Sequence, residues 1–368
     1  MEKFSGVKYI HLIWHNELKF NTRIVEIMND SALGFCGREH LFVTPHKQVY
    51  EPLKENGNVV LDTSFGIQKS AAYINRYAPQ CDWLFVHFMC PPMEALKIKR
   101  AYLHKIILRT WGGDLSYNLS LSTGVKKLIK FFVNKLYARQ MRRIRLIGIA
   151  NTVDVLNVKE KIGDVETYRM PYPVKGGDKI LLDIMSSPRE VNDRINIMIG
   201  HSGLPCNNHK TILDELYRFR EKNIQLYIIE SYGYPEYIKE IELYGKSLYG
   251  EKITFIEEML PYSQYVELLN DMDIAIFDAK ISYALGNIYI LKLLKKKIFL
   301  NKDGVIRRAF DLEGLPYMCT SDLKNISFEE FAKPIVYSEE ISMKLAPVSY
   351  EKNIQTWHEI LSMLEKKG

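Results

Sequence analysis

The chain has 368 residues, 47% hydrophobic and 26% charged, which is ordinary globular usage and excludes disorder, a collagen-like repeat and a pure coiled coil. At roughly 150 residues per domain this length predicts two domains, and the five scattered cysteines (Cys36, Cys81, Cys90, Cys206, Cys319) form no CxxC pair, which excludes a zinc ribbon and points to a reducing compartment. The net charge is +6, yet the 39 residues from Leu115 to Val153 carry eight cations and no acid, so the rest of the chain sums to −2; a nucleic-acid binder more often spreads its charge over a whole face.

The opening MEKFSGVKYIHLIW carries Glu2 and Lys3 and lacks the pattern of a secretory leader. No run reaches the ~18–20 apolar residues of a membrane span. The expectation is a cytoplasmic protein whose membrane contact is peripheral. Val7–Trp14 reads as a strand, and Asn21 can cap a helix over Thr22–Ala32. Strands follow at His40–Thr44 and Val59–Leu61, then a helix over Ile67–Tyr77. Trp83–His87 is a strand of the continuous apolar type that is buried on both faces. Pro92 suits the first turn of a helix over Met93–Tyr102, and strand Lys105–Thr110 runs into Trp111-Gly112-Gly113-Asp114. Val125–Tyr137 has helical period, with Val125, Leu128, Ile129, Phe132, Val133 and Leu136 on one face, Lys126, Lys127 and Lys130 on the other, and Phe131 at the boundary. Strand Arg145–Ile149 and helix Val153–Lys161 complete the first half.

Pro171, Pro173, Gly176 and Gly177 open a weakly periodic stretch to Asp193 that reads as a linker. A second alternating series follows. Its strands are Ile195–Ile199, Leu226–Ile229, Ile253–Phe255, Ile274–Phe277 and Lys297–Leu300. Its helices are His209–Lys222, Glu236–Leu248, Tyr262–Asn270 and Asn287–Leu294, and Tyr350–Glu365 forms a last helix. Repeated βα units of this length imply parallel sheets covered by helices. The fold expected is α/β, with two Rossmann-like domains at 1–175 and 176–345 and a C-terminal helix within 346–368 that packs back toward the first domain.

Two turns have the chemistry of an anion site. After strand Ile195–Ile199 comes Gly200-His201-Ser202-Gly203, then Asn207 or Asn208 as cap of the next helix. Glycines let the backbone approach a ligand, and a helix N-terminus offers free N–H groups to phosphate. The spelling is neither a Walker loop nor the GxGxxG dinucleotide turn, and a plain tight βα turn would also need glycine. Gly286 and Asn287 open another helix after strand Ile274–Phe277, at the sheet edge where such folds bind ligands; an ordinary helix cap is the plainer alternative. Asp114 can serve as general base for a substrate hydroxyl or cap its turn; His87 ends a strand at the same edge and is either catalytic or structural. Asp271-Met272-Asp273 spells DxD, but it lies between a helix and a strand and reads as a cap and turn, so no metal is assigned. Glu257-Glu258 can touch a ribose or face solvent. The basic helix either turns its lysines to water, with the apolar face on the core, or docks on anionic lipid, which attracts each nearby cation by about 1 kcal/mol.

Three motifs in order carry a family resemblance: WGGDL at Trp111–Leu115, GHSG with NNH at Gly200–Gly203 and Asn207–His209, and GYP at Gly233–Pro235, which includes Tyr234. They resemble the bacterial TDP-Fuc4NAc:lipid II Fuc4NAc transferase family of enterobacterial common antigen synthesis, whose members move 4-acetamido-4,6-dideoxygalactose from a dTDP donor to a polyprenyl-diphosphate-linked saccharide. The resemblance implies a GT-B architecture, two Rossmann-like domains facing across a cleft, and a peripheral glycosyltransferase on the cytoplasmic face of the inner membrane. The first domain would take the lipid-linked acceptor. The second would take the nucleotide sugar, at Gly200, His201, Ser202, Gly203, Asn208, Tyr234, Gly286 and Asn287. Asp114 or His87 is then the base, no metal or other cofactor is required, and Lys126, Lys127, Lys130 and Phe131 would meet anionic lipid, with no nucleic-acid partner. A fucose or HexNAc donor, a nucleotide-sugar 2-epimerase and a non-catalytic assembly partner are the other readings.

Overall fold

The computed structural model describes residues 6–14, 18–64, 69–88, 91–111, 125–187 and 193–366. It divides into two compact units: Met1–Val174 together with Tyr350–Gly368, and Lys175–Ser349. The first contains β1 (Tyr9–Ile13), β2 (His40–Thr44), β3 (Val59–Leu61), β4 (Trp83–His87), β5 (Ile106–Arg109), β6 (Leu146–Ile149) and β7 (Thr167–Arg169). All pair in parallel, in the order β3-β2-β1-β4-β5-β6-β7. The second contains β8 (Ile195–Ile199), β9 (Ile224–Ile229), β10 (Ile253–Ile256), β11 (Ile274–Phe277), β12 (Lys297–Leu300) and β13 (Met318–Cys319), again all parallel, in the order β10-β9-β8-β11-β12-β13. Each sheet reverses its strand order once, between β1 and β4 and between β8 and β11. In open α/β sheets the crevice outside the carboxyl ends of such a strand pair is where ligands bind.

The strands are runs of Ile, Leu, Val and Phe because both of their faces are covered. β1, β2 and β4 are buried at every residue. One cover of the first sheet is the last helix, Tyr350–Glu365, whose Ile354, Trp357, Ile360 and Leu364 pack with Tyr9, Ile24, Phe85 and Ile107. The Trp357 indole N–H donates to the carbonyl of Pro171 at 2.8 Å, so the ring is buried without an unmet donor.

Several elements differ from expectation. The helix predicted over Met93–Tyr102 is a single turn, Pro92–Ala95, followed by a 3-10 segment over Arg100–Lys105. The Asn75 side chain interrupts it, donating to the Lys97 carbonyl and accepting the Lys99 N–H. Asn21 does not precede its helix but lies buried within it, since the helix begins at Leu18 and runs to Asn29. The helix predicted to run to Lys222 stops at Leu216 and finishes as a 3-10 turn. The stretch read as a linker holds helix Gly177–Ser186, which packs on helix Tyr262–Asp271.

Of the two readings of helix Val125–Met141, the one that lays its apolar face on the core is not what the structure shows. Leu128, Ile129, Phe131, Phe132 and Leu136 are each more than half exposed, and contact with the core is made from Tyr137 onward by Tyr137 and Met141. The side chains of Lys126, Lys127 and Lys130 lie outside the described residues.

Trp357→Ala removes the largest side chain by which the last helix is bound and leaves the Pro171 carbonyl unpaired. Loss of a buried Trp costs ~3–5 kcal/mol, and the expected outcome is a lower urea midpoint for the first unit, followed by tryptophan fluorescence and far-UV circular dichroism.

Candidate functional site

In the second unit the site is built on two loops that touch. Gly203 and Gly233 form an isolated parallel bridge. The Gly203 N–H donates to the Tyr232 carbonyl at 2.8 Å, and the Tyr234 N–H to the Gly203 carbonyl at 3.0 Å. A Cβ on Gly233, which sits at φ +152°, would lie 2.2 Å from the Gly203 oxygen, and one on Gly203 would lie 2.2 Å from Ile238 Cγ1. The GHSG and GYP motifs are therefore two halves of one contact, and the glycine at 203 is required by helix Pro235–Tyr249 behind it. Gly200 is constrained too: at φ +69° its Cβ position is 2.5 Å from His209 Nε2.

Within this loop Asn207 and Asn208 brace the chain, and His201 and His209 are buried beside them. Asn207 is buried and donates to the Ser202 carbonyl at 2.8 Å and to Ser202 Oγ at 3.2 Å. Asn208 turns the chain at φ +53° into helix His209–Leu216, and its amide donates to the Asp278 carboxylate at 2.8 Å. Asp278, at the end of β11, also accepts from Asn301 at 2.9 Å and from the Thr320 hydroxyl, and so ties the carboxyl ends of β8, β11 and β12 together. No motif had pointed to it. His201 is buried between the rings of Tyr232 and Tyr283, with Nδ1 unpartnered, and burial pulls its basicity down to about 4. His209 is pulled down to about 3 by burial and by His201. Tyr234 is well exposed beside them.

The second turn places Ala284 at φ +60° before helix Leu285–Leu293. Neither this helix nor His209–Leu216 has a side-chain cap, so no side chain of a capping residue closes either first turn at this edge. Gly286 is exposed, and its Cβ position meets nothing within 4 Å. Asn287 is hydrogen-bonded to Tyr265.

Three carboxylates gather nearby in the fold. Glu230 ends β9, Glu257 follows β10 and Glu242 comes from helix Pro235–Tyr249; their oxygens lie within 4.8 Å of one another, the one group of metal-type ligands among the described residues. Glu230 is buried, and burial plus Glu242 raise it to about 8. Asp271 and Asp273 sit at the opposite, amino edge of the sheet. There the Asp273 carboxylate accepts the Asn196 N–H at 2.8 Å and the Asp271 carbonyl accepts the Asn196 amide at 2.9 Å, a brace for the turn.

In the first unit His87 ends β4, buried. Its Nε2 is 3.0 Å from His11 Nδ1, and its Nδ1 is bonded to the Tyr172 hydroxyl. Burial, with the Arg109 charge, pulls His87 down to about 3. Phe88, next in the chain, is held at φ +92°, with its carbonyl accepting the Trp14 indole N–H at 3.1 Å. Such a conformation in a bulky residue is costly and recurs at functional sites. Trp111 packs edge-on against Tyr172 and Phe20, at 5.7 and 5.0 Å between centroids, and the Arg109 guanidinium lies 5.0 Å from the Tyr172 ring. Asp114 falls outside the described residues.

Among the described residues no helix is long and apolar enough to cross a membrane. A family model described as "4-alpha-L-fucosyltransferase glycosyl transferase group 56" matches residues 60–366. Among solved structures the chain resembles a glycosyltransferase from Rickettsia africae (11% identity, 99% of this chain and 100% of that one, TM-score 0.63). It also resembles sucrose-phosphate synthase from Thermosynechococcus elongatus (9%, 98% and 100%, 0.63) and Anabaena Alr3699/HepE in complex with UDP (11%, 98% and 100%, 0.59). At these identities the likeness establishes the fold, the two-unit α/β architecture called GT-B.

The Glu230 cluster gives a pH signature. A carboxyl raised from 4.5 to about 8 in the folded chain binds more protons there than when unfolded. Stability then falls as pH climbs through that window. Glu230→Gln is expected to flatten the fall, read as urea midpoints at about pH 5 and about pH 8, with the variant gaining most at the higher pH.

Proposed function

The chain belongs to the glycosyl transferase group 56 family, and as a glycosyltransferase of that family we propose that it transfers a 4-acetamido-4,6-dideoxygalactose-type sugar from a dTDP-linked donor to a polyprenyl-diphosphate-linked saccharide at the cytoplasmic face of the inner membrane. The observation that carries the donor assignment is the carboxyl edge at β8 and β11. Two helices begin there without side-chain caps, beside the Gly200–Gly203 turn that His209 and Ile238 hold close. Free N–H groups and the dipole at helix starts stabilise the charge that develops on a departing diphosphate. The acceptor hydroxyl attacks the anomeric carbon, the C–O bond to the diphosphate breaks with its electron pair, and a base near β4 and β5, Asp114 or His87, takes the hydroxyl proton. His87 is pulled down to about 3 by burial and the Arg109 charge, and both its ring nitrogens already have hydrogen-bond partners. The reading assigns no metal to the transfer. The family description also supports a second donor, a fucose nucleotide.

Gly286 is the position to test, because a side chain there meets no neighbour and removing glycine favours the helix by up to ~1 kcal/mol. Gly286→Leu is expected to keep the melting temperature and weaken nucleoside diphosphate binding at least about tenfold, or ~1.4 kcal/mol. The measurements are thermal shift with dTDP, UDP and GDP, and transfer assayed in EDTA. Unchanged affinity in the folded variant removes the assignment; a preference for GDP selects the fucose reading.

Membrane docking is supported by helix Val125–Met141, where five exposed apolar side chains, Phe131 among them, share a helix with Lys126, Lys127, Lys130 and Lys135 in the acid-free stretch. Water-facing apolar residues on a basic helix suit an anionic interface. Binding to anionic liposomes is expected to weaken as salt rises, with a Debye length of ~8–10 Å near physiological ionic strength. Lys126→Glu, Lys127→Glu and Lys130→Glu together should abolish pelleting, and Phe131→Ser should weaken it at all salt concentrations. Persistent pelleting of the triple variant at low salt assigns the helix to another partner.

A further inference from the structure

Three imidazoles and a phenol form a row through the first sheet. The parallel register sets Tyr9 beside His40 and Ile13 beside His87. His40 on β2, His11 on β1 and His87 on β4 thus step diagonally along one face of the sheet, two residues at a time. His40 Nδ1 is 2.9 Å from His11 Nε2, His11 Nδ1 is 3.0 Å from His87 Nε2, and His87 Nδ1 meets the Tyr172 hydroxyl. All three rings are at least nine-tenths buried. His11 stacks on Phe42 and Phe85 at 4.5 and 4.6 Å, and His40 stacks on Tyr9 at 4.8 Å. Lys8 near His40 and Arg109 near His87 add positive charge at the two ends, and with burial they hold the rings neutral.

A neutral imidazole has one N–H and one lone pair. Each contact between two ring nitrogens needs one proton, not two and not none, since an unmatched buried pair is costly. If His11 carries its proton on Nδ1, it donates to His87 Nε2, so His87 is protonated on Nδ1 and donates to Tyr172. His11 Nε2 then requires a proton from His40 Nδ1. If His11 is protonated on Nε2, every step reverses and Tyr172 donates to His87. The row has two self-consistent states, and in each all three rings carry the same tautomer.

We propose that His40, His11, His87 and Tyr172 act as one tautomer-locked row, in which His11 and His40 are positioning residues that set whether the Tyr172 hydroxyl is donor or acceptor toward the sheet. Tyr172 packs on Trp111, the first residue of the WGGD motif, so the row ends where the acceptor would be activated. That catalytic meaning rests on the transferase reading above; the row itself does not.

The test is spectroscopic first. In the full-length chain labelled with 15N-histidine, long-range 1H–15N correlation of the side chains at neutral pH reports each tautomer. Signals are assigned by His11→Phe, His40→Phe and His87→Phe, and through contacts to Phe42 and Phe85 where a variant does not fold. The expected result is one shared neutral tautomer for the three rings. A ring of the opposite tautomer, or a charged one, overturns the proposal, whatever the enzyme transfers. For the positioning role, His40→Phe and Tyr172→Phe are each expected to lower kcat about tenfold with donor KM unchanged, and the double variant to be no slower than either. An unchanged kcat in His40→Phe, or losses that multiply in the double variant, overturns that role.

Discussion

In a fully parallel sheet no strand can return by a hairpin; every connection crosses a face, and the strand order must reverse once if helices are to cover both sides. At that reversal, two neighbouring strands send their following loops to opposite faces and leave a crevice at their carboxyl ends. Both units obey this constraint, at β1/β4 and at β8/β11. The residues with chemical potential collect there: Trp14, His87 and Phe88 in one unit, and Gly200, His201 and Asp278 in the other. The site is a consequence of topology before it is a consequence of side chains.

Buried polarity is handled differently in the two crevices. In the first unit the imidazoles satisfy one another, so three histidines sit in an apolar face with each inter-ring proton accounted for. In the second the glycines do the closing, and the nitrogens of His201 Nδ1 and His209 Nε2 have no hydrogen-bond partner. His209 Nε2 is pressed toward Gly200 Cα, whereas His201 stands between two tyrosine rings at the end of β8. Burial is thus compensated within the histidine row of the first unit, and left uncompensated at two ring nitrogens of the second.

The α/β architecture was legible because continuous apolar runs such as WLFVH and IAIF, spaced by helix-length segments, have few other solutions. The family was legible through motifs whose glycines the fold needs: in this chain the backbones of Gly203 and Gly233 touch. What stayed hidden had weak local signals. β7 is Thr-Tyr-Arg at a sheet edge and β13 is two residues long, so neither has an apolar pattern. His11 lies within an apolar run and gains meaning only from partners 29 and 76 residues away. Asp278 and Tyr172 are likewise defined by distant contacts. For helix Val125–Met141 periodicity located the apolar face but not that it would face water, because amphipathy is blind to what lies opposite.

The last helix belongs to the first unit, although the whole of the second unit, residues 175–349, lies between them in the chain. During synthesis at about 5–20 residues per second, the surface formed by Tyr9, Ile24, Phe85 and Ile107 waits on the order of ten to thirty-five seconds for the helix that covers it. The second unit, by contrast, is contiguous in sequence. The core of the first unit therefore cannot close until the last helix has been made, and until then the face of its sheet stays open to solvent.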